Sequence, residues 1–162
     1  MHEWFTASGE HIFWSEICNN VTYVANHDPN HQVVIGCDTR ATKPSTLYVV
    51  AICLISSIEP YSRVYYYGKL IDPAPVDLYA RVFKEADSAV TTALSVREYS
   101  SLTRSNPNLI IHLDLSSPDK SNATSKYAKH LTSFIRSLGF NNVETKPNSW
   151  ASSSIADKHT KD

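Results

Sequence analysis

The chain has little of what would assign a compartment or partner outright. Its 162 residues hold no apolar run of membrane length and no signal-like amino terminus, so a soluble, cytoplasmic protein without a membrane partner is expected. There are three cysteines, Cys18, Cys37 and Cys53. They are odd in number, lie in apolar patterns and lack CxxC spacing, which argues for buried free thiols over a disulfide frame or a zinc site. Repeats and low-complexity tracts are absent too. The formal charge of -1 argues against a large, uniformly basic nucleic-acid surface. An acidic metal cluster would nevertheless hide basic surface in that sum, and Lys120, Lys126, Lys129, Arg136, Lys146, Lys158 and Lys161 all fall in the last third. What is present, 42% hydrophobic and 19% charged residues over this length, suits one domain spanning 1–162 with its own core.

The stretch Gln32 to Thr39, QVVIGCDT, organises the rest. It reads as a buried strand that ends on a carboxylate, with Val34, Gly36 and Asp38 on one face and Val33, Ile35 and Cys37 on the other. Upstream, Trp4 to Gly9 reads as a loose lead-in, and Trp14, Ile17, Cys18, Val21 and Val24 recur at helical spacing, giving a helical lead-in over 1–31. Turn clusters at Asp28-Pro29-Asn30, Lys43-Pro44-Ser45 and Glu59-Pro60-Tyr61-Ser62 separate further strands at Leu47 to Ile55 and Arg63 to Leu70, so three sequential antiparallel strands are expected. After Asp72-Pro73-Ala74-Pro75, a long helix runs from Asp77 to about Leu102 with Leu78, Val82, Ala89, Ala93 and Val96 in one stripe, and Glu85 falls inside it.

Asn106-Pro107-Asn108 closes that helix, and Leu109 to Leu115 is a second buried strand ending near an acid, Asp114, which shares a face with Ile110 and His112. A helix capped by Ser121 or Asn122 buries Tyr127, Leu131, Phe134, Ile135 and Leu138 and stops at Gly139. A short strand, Val143 to Lys146, precedes a final helix from Trp150 with Trp150, Ser154 and Asp157 on one face. This order predicts an α/β fold: a mixed five-stranded sheet, three antiparallel strands then parallel additions, with helices on both faces. In such sheets the site lies outside the carboxyl ends of the strands, where Asp114 falls directly and Asp38 joins it if the strands are neighbours.

Asp38, Glu85, Asp114 and Asp157 gathered without a cation would force like charges together. Carboxylate oxygens suit Mg2+ or Mn2+, and two such ions can activate a water and stabilise the leaving oxygen of a phosphodiester. The segments VVIGCDTR, VFKEADSAV, IIHLDLS and ASSSIADKH carry these acids in the chain order of the Asp-Glu-Asp-Asp set of the ribonuclease H fold. VIGCDTRA, IHLDLS and above all KPNSWASSSIADKH closely resemble the YkuK family of ribonuclease H-related domains, from about Val33 onward.

The resemblance implies a ribonuclease H-like nuclease with two Mg2+ or Mn2+ ions acting on RNA, RNA-DNA hybrid or structured DNA. In it Asp38 and Asp114 are central ligands, Glu85 a ligand able to hold the water, and Asp157 the second-ion ligand. Ribonuclease H enzymes often keep a mobile histidine before the last acid, whereas here His159 follows Asp157.

Lys146, Lys158 and His159 are candidate nucleic-acid contacts. The competing readings are a solvated tail residue for Lys158 and a surface histidine at a helix end for His159. His112 reads as a satisfied core histidine, Tyr65-Tyr66-Tyr67 as packed on both strand faces rather than stacking bases, and Trp150 as core. Two other functions compete with the nuclease: a nucleic-acid or protein-binding module that no longer cuts, and a structural cation site without catalysis.

Overall fold

The computed structural model describes residues 2–42, 44–73, 77–100, 108–115 and 125–162. Its sheet has six strands: β1 (Glu3–Thr6), β2 (Gln32–Ala41), β3 (Thr46–Ile55), β4 (Arg63–Asp72), β5 (Leu109–His112) and β6 (Asn142–Glu144), in spatial order β1-β4-β3-β2-β5-β6. β1 to β4 pair antiparallel with their neighbours, and β2-β5 and β5-β6 pair parallel. The mixed sheet with parallel additions is as expected. The sixth strand corrects the loose lead-in: Trp4 pairs with Gly68, where an added Cβ would lie 3.0 Å from the indole, so the missing side chain makes room for β1. Four residues at a sheet edge carry too little periodicity to be read as a strand.

The helices are α1 (Trp14–His27), α2 (Leu78–Tyr99), α3 (Ser125–Ser137) and the short α4 (Asp157–Thr160), which continues directly from a π-helical segment, Ala151–Ala156. α2 starts where the Asp77 carboxylate accepts the Ala80 amide at 2.8 Å, and Gly139, with φ 94°, lies just beyond α3. The cap read at Ser121 or Asn122, the helix end at Leu102 and Lys120 lie outside the described residues.

Two cores flank the sheet. Val33, Ile35 and Cys37 join Val82, Ala86, Ala89 and Leu131 on one face, while Val34, Val49 and Cys53 pack with Ala151 and Ala156 on the other. All three cysteines are free and buried. Tyr66 and Tyr67 are buried on opposite faces, as strand alternation requires.

Three apolar assignments need correction. Leu78 is 39% exposed because it occupies the first turn of α2, before the stripe meets the core at Val82. Phe134 is 53% exposed, since Ala128, Leu131 and Ile135 define the α3 stripe and Phe134 falls at its margin. Trp150 is 37% exposed and only touches the core edge-on, its ring 5.0 Å from that of His112.

Candidate metal centre

β2 continues to Ala41, but its parallel partner β5 stops at His112, opposite Gly36. Beyond that pair the two chains separate, which opens a crevice at their carboxyl ends. The Ser152 hydroxyl spans the split: it accepts from the Cys37 amide at 3.2 Å and donates to the His112 carbonyl at 2.9 Å. His112 also accepts the Ala151 amide on Nδ1 at 3.1 Å, and burial pushes its pKa down to about 4, so it is the satisfied core histidine expected.

Asp38 reaches the crevice from β2, on the face shared with Val34. Thr39, one residue on, faces α2 and donates to Glu85 Oε1 at 2.5 Å. Glu85 lies on the buried stripe of α2, three residues after Val82 and four before Ala89, so helix packing aims it at the rim of the sheet. Asp114 follows the end of β5 by two residues. Its loop stays tied to the segment after β6 through Leu113 N to Glu144 O at 2.9 Å and Lys146 N to Leu115 O at 2.8 Å, which brings Lys146 opposite Asp114. One ligand oxygen each from Asp38, Glu85 and Asp114 lies within 4.8 Å of the others.

Asp157 arrives from the opposite face. The final helix is π-helical before Asp157, not the regular α-helix expected, and the Asp157 amide bonds to the Ser152 carbonyl five residues back. That wider turn aligns Ser152, rather than Ser154, with Asp157. Ser152 seats on Gly36, and Asp157 hydrogen-bonds to Asp38, two residues along the same face of β2. A Cβ on Gly36 would lie 2.5 Å from Ser152 Oγ and 2.6 Å from its backbone nitrogen. Only glycine lets this segment approach so closely.

Asp38 is 7% exposed. Burial first, then its hydrogen bond with Asp157 and the charges of Asp114 and Glu85, hold its carboxyl well above the usual carboxylate range. Asp157 is held below the usual carboxylate range by its hydrogen bonds from Lys161 and with Asp38. Burial pushes Glu85 up to about 7 despite the Thr39 bond, and the Asp114 charge adds to the push. One Asp114 oxygen, Oδ1, is sealed from water and has no hydrogen bond, although Lys146 Nζ stands 3.2 Å away at ion-pair distance. An all-carboxylate set with an orphaned oxygen and two carboxyls pushed upward fits a hard divalent cation.

The remaining candidates separate. Lys146 sits beside the cluster, whereas Lys158 is exposed and its charge acts on Asp162. His159 is 4% exposed, which overturns the surface reading. Its Nε2 meets the Tyr65 hydroxyl at 2.8 Å, its Nδ1 meets Asp162 Oδ2 at 2.6 Å, and its ring stacks on Tyr67 at 3.7 Å. It therefore ties α4 to β4 instead of facing solvent. Thr39, Arg81 and Ser152 escaped the sequence reading, as did the pairing of Lys161, read only as basic surface, with Asp157. Arg81 and Lys161 had a usable signal, each being four residues from an acid on a helix, whereas nothing distinguishes Ser152 from Ser153 and Ser154 before folding.

A three-plus-two antiparallel and parallel sheet extended by β1, with carboxylates in the crevice at the carboxyl ends of β2 and β5, is that of a nuclease-fold domain. A model of the ribonuclease H-like family matches residues 16–161, and the chain belongs to that family, in accord with its resemblance to YkuK domains. No curated protein and no solved structure gives a significant match. No helix among the described residues is long and apolar enough to cross a membrane.

Proposed function

We propose that the chain is a single ribonuclease H-like domain that hydrolyses phosphodiester bonds of RNA, RNA-DNA hybrid or structured DNA, using two Mg2+ or Mn2+ ions. The observation that carries this reading is the convergence of Asp38, Glu85 and Asp114 from two strands and a helix to within 4.8 Å. These three would hold one ion, and Asp157, through its contact with Asp38, would complete the place of a second. Divalent ions there supply an activated water and neutralise the charge that develops on the phosphate and the leaving 3′-oxygen.

The chain's own groups prepare that chemistry. Thr39 fixes the Glu85 carboxyl, the group best placed to orient a water. Ser152, seated on Gly36, fixes the reach of Asp157. Lys146 and Lys158 offer exposed charges to backbone phosphates. The three buried free thiols accord with a reducing compartment such as the cytoplasm.

The test is cleavage of labelled hybrid, single-stranded and branched substrates with Mg2+ or Mn2+. Activity is expected to vanish in Asp38→Asn and Asp114→Asn, and unchanged activity in both would overturn the assignment. A non-cutting binding module is the second reading, favoured by the basic partners that three of the acids already have. Binding without turnover under both metals would select it.

A further inference from the structure

Three of the site acids each face a cation of their own. Arg81 Nε lies 3.9 Å from Glu85 Oε1, Lys146 Nζ 3.2 Å from Asp114 Oδ1, and Lys161 Nζ 2.9 Å from Asp157 Oδ2. In each pair the base is the more exposed partner: 40% against 10% for Arg81 and Glu85, 48% against 20% for Lys146 and Asp114, and 64% against 37% for Lys161 and Asp157. Glu85 and Asp114 are thus held by the fold, and the bases are not. Two of the contacts are also loose: Arg81 Nε and Asp114 Oδ1 are both shut off from water, and neither makes a hydrogen bond. Arg81 and Lys161 reach their acids across one helical turn, so release requires only a change of rotamer.

A dication and an ammonium group cannot both sit against one carboxylate oxygen without strong repulsion. A cation entering the Asp38-Glu85-Asp114 cluster pushes Arg81 and Lys146 outward, a second one held by Asp157 does the same to Lys161, and the stems keep all three at the rim. We propose that Arg81, Lys146 and Lys161 are exchangeable counter-ions: they neutralise the cluster when it holds no divalent cation, and on cation loading they swing out to grip the phosphates of a nucleic-acid backbone. Cation loading then both completes the site and exposes its phosphate-binding rim. This rests on the metal-dependent reading above.

The test uses the full chain and two measurements besides cleavage. Calorimetric titration with Mn2+, without nucleic acid, is run on wild type, on Arg81→Gln, Lys146→Gln and Lys161→Gln, and on the triple variant. Each single change removes a competitor and should tighten Mn2+ by roughly threefold to fivefold. Fluorescence anisotropy then follows a phosphorothioate-stabilised RNA-DNA hybrid with Mn2+ or with EDTA. Mn2+ should tighten binding by wild type. In the Mn2+-loaded triple variant binding should weaken, and the slope of log affinity against log salt should fall by about one for each residue removed.

Variants that bind Mn2+ no more tightly than wild type would overturn the proposal, and so would an unchanged salt slope in the triple variant. A wild type that takes up no Mn2+ would instead sink the metal-dependent reading itself, which separates the two failures.

Discussion

The two faces of β2 hold their acids by different physics. On the α2 side, Glu85 is one position in a long aliphatic stripe that includes Val82, Ala89, Ala93 and Val96, against Val33 and Ile35. Many dispersed contacts fix the helix there, no single one decides where it sits, and the Thr39 hydrogen bond only orients the carboxylate that the helix delivers. On the other side, Asp157 depends on a few close ones: Gly36 under Ser152, one hydroxyl bridging two strands, and His159 held between Tyr65, Tyr67 and Asp162. An acid on a long packed helix tolerates substitution around it, whereas an acid delivered by a close backbone approach is exposed to the addition of one carbon atom.

The comparison is broken most severely where the two faces meet. Asp38→Asn removes the residue that both sides converge on, and metal-dependent cleavage should fall by more than about a hundredfold, the upper range for merely supporting residues. Residual cleavage of a labelled hybrid measures it. Next comes Gly36→Ala, which forces a methyl group against Ser152 and should cost about 1–3 kcal/mol of stability, read as a lowered melting temperature. Ala89→Gly, on the α2 face, removes a buried methyl as well as helix propensity and should cost about 2 kcal/mol with cleavage retained. Equal losses of cleavage from the two small changes would erase the asymmetry.

The pH dependence of the metal-free fold is the next effect in size. Asp38 and Glu85 have raised carboxyl pKa values in the folded chain, Glu85 at about 7. The folded state therefore binds more protons than the unfolded state between the ordinary carboxylate range and neutrality, and stability must fall as pH rises through that window. In EDTA the melting temperature should be higher at pH 5 than at pH 8, by a stability difference on the order of 2 kcal/mol. Glu85→Gln should flatten the profile, and Mg2+ should restore stability chiefly at the higher pH. The smallest effect is expected from His159→Ala, which loses two hydrogen bonds and a ring stack at the end of α4, about 1–2 kcal/mol by thermal melting.

Much of this was legible before folding. The β2 run, the strand ending near Asp114 and Glu85 within an apolar helical stripe each announce themselves through local periodicity, because burial of one face imposes a period of 2 or 3.6. β1 went unread because four residues at an edge carry no such record, and their reason, the missing side chain of Gly68, lies 64 residues from Trp4 in the chain. His159 and Trp150 were misread in opposite directions, since the π-helical segment shifts which residues face the sheet.

Local periodicity was enough to read the element order from α1 onward, and with it the mixed character of the sheet, and to single out Asp38, Glu85 and Asp114 as acids on buried elements. Which oxygens meet, which cation faces each acid and why position 36 is glycine emerge on folding. Those depend on where β5 stops beside β2 and on a turn five residues wide, distances through space that no local pattern encodes.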